Sequence, residues 1–178
     1  TETIMKQRTL NKSIEIVGIG LHKGVPVKMR LEPLPENSGI IIYRSDASVT
    51  IPLKKEYVVD TKMATVLGKD GVIVSTIEHL LSSIYAYGID NLRIVLDNDE
   101  VPILDGSASG YCMLIEEAGI KEQEESKKVI KIKKEVTVTT EDGKKVTLKP
   151  SNRIIYDFEI KFNHPAIGVQ KYHFDYSI

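Results

Sequence analysis

A change in the spacing of apolar residues limits what this 178-residue chain can fold into. Residues 25–32 alternate apolar and charged side chains, which is the period of a half-buried strand. In residues 76–87, by contrast, Ile77, Leu80 and Ile84 recur three and four residues apart, on one face of a helix. Strands and helices therefore occur in separate blocks, and the pattern predicts the α+β class.

The first 120 residues are predicted to form one α+β domain. The strand period recurs at residues 13–17, 40–43, 49–53, 63–67, 72–74 and 91–97. A second helix is predicted over Ser109–Ala118, while Ser75 and Gly88 are expected to be the N-cap and the C′ glycine of the first helix. We expect a sheet of about five to six strands packed on two helices.

The remaining residues are predicted to contain strands only. Residues 121–128 are entirely polar and predict a linker. Because residues 129–178 show strand patterns but no helix to cover an apolar sheet face, we interpret them as the opening β-strands of a similar second domain in a truncated chain. The uncovered edge at 171–178 predicts pairing with another copy.

Charge and cysteine content exclude several classes of partner. Lys and Arg number 24 against 25 Asp and Glu, so no bulk attraction to phosphate backbones is expected and no nucleic-acid partner is predicted. The single cysteine, Cys112, predicts a reducing compartment and a cytoplasmic location. Apolar runs stay well short of the ~18 residues of a transmembrane helix, so no integral membrane segment is predicted.

The pair Glu78-His79 allows a structural and a functional interpretation. Ser75 and Glu78 have the spacing of a capping box, with His79 as an ordinary surface residue. Alternatively, His79 binds Zn²⁺ and the adjacent Glu78 acts as a base in metal-assisted hydrolysis. The other histidines do not have metal-ligand spacing to His79; they are His22, His164 and His173.

Two glycine-containing segments predict turns. Residues 18–24 hold three glycines around His22 and precede a strand, which favours a turn or bulge over a nucleotide-binding loop. Residues 102–107 predict a strand-to-helix turn in which Asp105 caps a helix or orients a neighbouring side chain.

Five ordered motifs resemble those of the UDP-3-O-acyl-N-acetylglucosamine deacetylases, zinc enzymes of the committed step of lipid A synthesis. The similarity runs from about Met5 to the end of the chain. The motifs are Gly-Ile-Gly-Leu-His-Lys-Gly (18–24), Ser-Thr-Ile-Glu-His-Leu (75–80), Gly-Ile-Asp-Asn (88–91), Pro-Ile-Leu-Asp-Gly-Ser-Ala (102–108) and Phe-Asn-His-Pro-Ala-Ile (162–167).

This resemblance implies roles for the polar candidates. His79 matches a zinc ligand, and Glu78 matches the general base that acts on the zinc-bound water. Asp105 matches an aspartate that orients a catalytic histidine of the second domain. The resemblance also implies that the other two zinc ligands and the general-acid histidine come from a later part of the family's second domain, to which no residue here corresponds.

The resemblance further implies three substrate contacts. Phe162 matches the residue on which the uracil ring stacks, His22 lies near the mouth of the metal cleft, and Met63 lies in a stretch that lines this cleft. The implied activity is zinc-dependent deacetylation of UDP-3-O-acyl-N-acetylglucosamine. We expect this chain alone to be inactive, because it is truncated. Two alternatives remain, namely a non-catalytic β/α binding module and a different metal hydrolase on the same scaffold.

Overall fold

The computed structural model describes residues 5–176 and consists of two compact units, the first ending at Lys127 and the second beginning at Lys128. In the first unit the strands and helices are β1 (Lys6–Leu10), β2 (Ile14–Ile19), β3 (Pro26–Pro33), β4 (Ile40–Arg44), β5 (Val49–Pro52), β6 (Val58–Asp60), β7 (Val66–Lys69), β8 (Val72–Ser75), α1 (Glu78–Ala86), β9 (Leu92–Leu96), α2 (Ser109–Ala118) and β10 (Ile120–Ser126). A short 3₁₀ turn precedes β6 at Lys55–Tyr57. The predicted α+β class is confirmed.

The strands of the first unit form three separate sheets. The largest has the order β2-β3-β9-β4-β5 and is antiparallel except between β4 and β9. Strands β6, β7 and β8 form an antiparallel meander, and β1 pairs with β10 in a two-stranded ribbon. The simplest expectation, one sheet for the whole domain, is therefore corrected to three.

One hydrophobic core joins the helices to the five-stranded sheet and the meander. The alternation of β3 and the helical stripe of α1 both point into it, as their sequence patterns predict. Apolar burial of this kind contributes roughly 25 cal/mol per Å² removed from water. The fully buried large side chains of this core include Met29, Leu31, Ile42, Leu67, Leu80, Ile84, Ile94 and Tyr111.

The predicted N-cap of α1 is wrong, whereas the predicted C′ glycine of α1, Gly88, is confirmed. Ser75 ends β8, because its amide donates to the Asp99 carbonyl at 2.9 Å and its carbonyl accepts from the Val101 amide at 3.1 Å. Helix α1 begins only at Glu78, without a side-chain cap. Gly88 and Gly119 follow α1 and α2 with φ of 64° and 75°, a conformation that favours glycine.

The segment 121–128 is not the linker that its polarity predicts. Most of it lies in β10, where Ile120 pairs with Leu10 and Lys121 with Thr9 of β1. Only one side chain within this polar run, Gln123, is buried. A two-stranded ribbon therefore needs no apolar run in β10, which explains why periodicity missed it.

The second unit contains two antiparallel hairpins in its described residues. They are β11 (Val136–Thr139) with β12 (Lys145–Leu148), and β13 (Ile154–Lys161) with β14 (Val169–Tyr176). The described part of this unit contains strands and no helix, as expected. The predicted last strand extends to residue 178, of which 177–178 lie outside the described residues. Within the described chain β14 pairs only with β13, and its pairing with another copy stays a prediction.

Neither helix of the described residues is long and apolar enough to cross a membrane.

Candidate active site

The start of α1 carries the two principal candidates side by side. Glu78 is exposed and His79 is half-buried. The Ser75 amide, which a capping box would pair with Glu78, donates to the Asp99 carbonyl instead. The Glu78 carboxylate accepts a hydrogen bond from the backbone amide of Thr65, just before β7. The capping-box interpretation of Glu78 is therefore wrong, and its side chain instead connects α1 to the loop that enters β7.

The surroundings of Glu78 favour its ionised form. Partial burial opposes ionisation, but hydrogen bonds from Thr65 and from the Glu78 amide, together with the nearby His79, outweigh it. The pKa of Glu78 consequently lies below its ordinary value of 4.5. At neutral pH the side chain is a carboxylate, the state that a proton acceptor requires.

Asp105 is the third polar candidate of the first unit. It is exposed just before α2, and it accepts hydrogen bonds from the Ser107 amide at 3.0 Å and the Ser107 hydroxyl at 2.9 Å. These bonds, with a smaller contribution from the charge of His79, hold the pKa of Asp105 below its ordinary value of 3.8. Glu78 and His79 thus begin α1, and Asp105 lies in the turn that leads into α2, the helix that packs on α1.

Close packing fixes the backbone that precedes Asp105. Leu104 has a φ of 53°, an unfavourable conformation for a non-glycine residue. A Cβ at Gly110, in the first turn of α2, would lie 2.8 Å from the Leu104 side chain. A Cβ at Gly18 would lie 2.7 Å from Pro102. Glycines on both sides therefore allow this turn to lie against β2 and α2.

His22 belongs to a second polar cluster, which is centred on a buried carboxylate. Glu100 is 3% exposed. Its Oε1 lies 2.9 Å from the His22 Nδ1 and 2.9 Å from the Thr76 hydroxyl, and it accepts from the His22 amide at 3.0 Å. The Lys23 amide donates to Oε2 at 3.3 Å. Thr76 lies two residues before Glu78, so this cluster places His22 near the start of α1.

The glycine-rich segment 18–24 has a structural reason in this cluster. A Cβ built at Gly20 would overlap the Glu100 carboxylate. Gly24 has a φ of 63° and donates its amide to the Gly20 carbonyl at 3.0 Å. The segment is a tight turn between β2 and β3, as predicted, and it closes around Glu100.

Acid should destabilise the fold through Glu100. Burial raises its pKa, but the hydrogen bonds from His22, Thr76 and Lys23 outweigh burial, and the pKa lies below 4.5. A carboxyl whose pKa is lower in the folded state stabilises the fold at higher pH and loses this contribution as pH falls through the folded value. We therefore expect the unfolding free energy to decrease less in the Glu100→Gln variant than in the wild type as the pH is lowered from 4.5. Urea titrations at a series of pH values measure this difference. An identical acid dependence would contradict this role.

The remaining two predicted site residues, Met63 and Phe162, belong to different units of the chain. Met63 is 85% exposed in the loop before β7, two residues from the Thr65 amide that contacts Glu78. Phe162 is 53% exposed at the end of β13, and its amide donates to the Gly168 carbonyl at 3.0 Å. It belongs to the second unit, so its proximity to the other candidates stays a prediction.

A zinc site needs several donor side chains close together. A catalytic zinc takes three protein ligands from His, Cys, Asp and Glu. Across residues 5–176, no three such side chains come together in a way that could hold a metal ion. His79 has the chemistry of one ligand, but the described residues do not complete a zinc site by themselves.

Comparison with known proteins decides the family. Residues 7–178 match the family described as UDP-3-O-acyl N-acetylglycosamine deacetylase. The chain belongs to this family. The deacetylase family therefore covers both units, including the second unit that holds Phe162.

Curated members of the deacetylase family are closely similar to this chain. The UDP-3-O-acyl-N-acetylglucosamine deacetylase of Aliarcobacter butzleri is 81% identical over 174 residues, which is 98% of this chain and 58% of that protein. The enzymes of the same name from Nautilia profundicola and Helicobacter pylori (strain 26695) are 66% and 60% identical over 97% of this chain. The chain thus spans a little under three-fifths of the length of these relatives.

Sequence reasoning missed three residues that organise the site. Thr65 falls within the predicted strand 63–67 and Thr76 within the predicted helical segment 76–87, and neither pattern indicates a polar partner. Glu100 follows the acidic run after β9, where it looks like one more solvated carboxylate. The one usable signal was the adjoining pair Val101-Pro102, since a polar residue next to a buried turn needs a partner.

Proposed function

We propose that a protein containing this chain removes the acetyl group from UDP-3-O-acyl-N-acetylglucosamine. The observation that carries the proposal is the pair Glu78-His79 at the start of α1, with the Glu78 carboxylate held by the Thr65 amide. Family membership and the shared name of the relatives support it. The reaction is the hydrolysis of an amide, which yields acetate and a free amine.

Glu78 is suited to the proton transfer that this hydrolysis needs. Its carboxylate would accept a proton from the water that attacks the acetamide carbonyl, and the amine nitrogen is protonated as the C–N bond breaks. The Thr65 amide holds the Glu78 carboxylate in place. The exposed side chain of Glu78 can reach solvent water directly.

His79 and Asp105 would have supporting roles. We infer that His79 is one of three protein ligands of a zinc ion, which when bound polarises the acetamide carbonyl and the attacking water. Asp105 has a carboxylate that is already ordered by Ser107 and exposed, so it can orient an imidazole from elsewhere in the protein. Phe162, Met63 and His22 are proposed to contact the substrate, with Phe162 stacking on the uracil ring.

Zinc content and acetate release test this proposal. We expect the full-length protein to retain about one zinc and to release acetate from UDP-3-O-acyl-N-acetylglucosamine, because three ligands are then present. The 178-residue chain should retain far less than one zinc and release no acetate, because its described residues supply too few ligands. Elemental analysis and an acetate assay measure both quantities.

The matched variants separate metal binding from folding. His79→Gln in the full-length protein should lose most of its zinc and its activity, whereas His173→Gln, which alters an exposed histidine of β14, should lose neither. Stoichiometric zinc and full turnover in His79→Gln would contradict the assignment of His79.

The incomplete donor set of the described residues favours one second candidate for the chain alone. By itself it would act as a non-catalytic β/α module that retains its fold and lacks turnover.

A cytoplasmic location is proposed from the single Cys112, whose thiol has no disulfide partner within the chain.

A further inference from the structure

The buried carboxylate of Glu100 is not explained by the roles assigned above. It touches neither Glu78 nor His79 in the hydrogen bonds of the described residues. Burying a charge is costly unless hydrogen bonds compensate it. The Glu100 carboxylate accepts hydrogen bonds from four donors, namely two backbone amides, one hydroxyl and one imidazole.

The chemistry of Glu100 determines which nitrogen of His22 carries a proton. The amides, the hydroxyl and the lowered pKa all indicate that Glu100 is ionised at neutral pH. An ionised carboxylate can only accept hydrogen bonds. The proton in the 2.9 Å contact between the His22 Nδ1 and the Glu100 Oε1 must therefore reside on Nδ1. In the neutral ring, Nε2 then keeps its lone pair.

The opposite side of the His22 ring can be reached from outside. The His22 side chain is 41% exposed, although the Glu100 side chain that holds it is only 4% exposed. The neighbouring charges are already paired, since the Lys23 ammonium contacts the Asp99 carboxylate. Within residues 5–176 the hydrogen bonds of the His22 ring are made by Nδ1, so Nε2 is the polar atom that the ring can offer to a ligand.

The same carboxylate also secures the backbone that leads into α1. Thr76 has a φ of 60°, which is a strained conformation for a β-branched residue. Its hydroxyl donates to the Glu100 Oε1 at 2.9 Å, and the residue is buried. Glu100 thus links His22 to the segment that positions Glu78.

We propose that Glu100 is a positioning residue that holds His22 in the Nδ1–H form and presents the Nε2 lone pair to the substrate as a hydrogen-bond acceptor. The matching group on the substrate is a neutral donor, a hydroxyl or an N–H of the sugar nucleotide. This part rests on the proposed deacetylase function. The tautomer itself does not, because it follows from the contacts of the chain alone.

The tautomer can be measured directly in the 178-residue chain. Long-range ¹⁵N–¹H correlation spectra of the chain labelled in its histidine rings, recorded at alkaline pH, distinguish a protonated from an unprotonated ring nitrogen. We expect His22, assigned by its loss in His22→Gln, to show a protonated Nδ1 and a bare Nε2. A proton on the Nε2 of His22 and none on its Nδ1 in the wild-type chain would overturn the proposal, whatever the variants of Glu100 show.

Two variants of adjacent residues show whether Glu100 is the cause. Glu100→Met removes the acceptor at similar volume and should abolish the Nδ1–H preference. Asp99→Asn removes the same charge one residue away and should keep it, because Asp99 contacts Lys23 rather than His22. Equal His22 spectra in the two variants would overturn the role of Glu100.

Activity of the full-length protein tests the substrate contact. Glu100→Met should lower kcat/KM at least about tenfold, the equivalent of one lost hydrogen bond, with unchanged zinc content, while Asp99→Asn stays near wild type. A changed tautomer with unchanged kcat/KM would refute the substrate contact. If the wild-type protein has the Nδ1–H form but no deacetylase activity, the proposed function fails and the positioning of His22 stands.

Discussion

Glu78→Gln in the full-length protein is expected to lower kcat by on the order of 10²–10⁴, the usual contribution of a general base. Glutamine keeps the shape of Glu78 and an oxygen that can accept the Thr65 amide, but it cannot take up a proton at neutral pH. The fold and the zinc content should therefore be unchanged. Steady-state kinetics of acetate release, together with thermal unfolding, measures both expectations.

Glu117→Gln is the matched control for this experiment. Glu117 is an exposed glutamate near the end of α2, and the same change of charge there should leave kcat within a factor of two or so. Near-normal turnover in Glu78→Gln would assign Glu78 a structural role, as the connection between α1 and the loop before β7.

Asn91→Ala should destabilise the first unit by about 2–4 kcal/mol, because it leaves several buried groups without partners. Asn91 is 1% exposed. Its side chain donates to the side-chain oxygens of Gln7 and Gln123 at 2.8 Å each and accepts from the Gly39 amide at 2.9 Å. Urea unfolding monitored by circular dichroism measures the loss.

Asn11→Ala provides the comparison, because Asn11 adjoins the ribbon of β1 and β10 to which Asn91 is bonded. Asn11 follows β1, is exposed, and donates one hydrogen bond of 3.3 Å to the Ile120 carbonyl. Its replacement should cost no more than about 0.5 kcal/mol. If both variants unfold at the same urea concentration, the amide network around Asn91 does not hold the ribbon to the sheet.

Side-chain periodicity was sufficient to predict the elements that bury one regular face. Strand β3 and helix α2 lie within one residue of their predicted bounds, since their apolar residues repeat at the period of the element. The position of Gly88 likewise predicted the end of α1. These signals are local, because each depends on residues a few positions apart along the chain.

Elements stabilised by polar contacts between distant residues were not predicted. Strand β10 contains no apolar run, and it is fixed by pairing with β1 and by Gln123, whose amide reaches Asn91 and the Leu34 carbonyl. The start of α1 was placed too early, because Ser75 is held in β8 by bonds to residues about 25 positions later. A pattern within one segment contains no information about such partners.

The candidate site shows the same division. The sequence by itself indicated the family, through ordered motifs that resemble it, and with it the candidate residues Glu78, His79 and Asp105. Only the tertiary structure decided that the Glu78 carboxylate contacts the Thr65 amide and not the Ser75 amide, and that Glu100 contacts His22. The physical reason is that a carboxylate takes whichever N–H and O–H donors the fold brings to it. Those donors come from separate turns and strands that meet only when the sheets and helices pack.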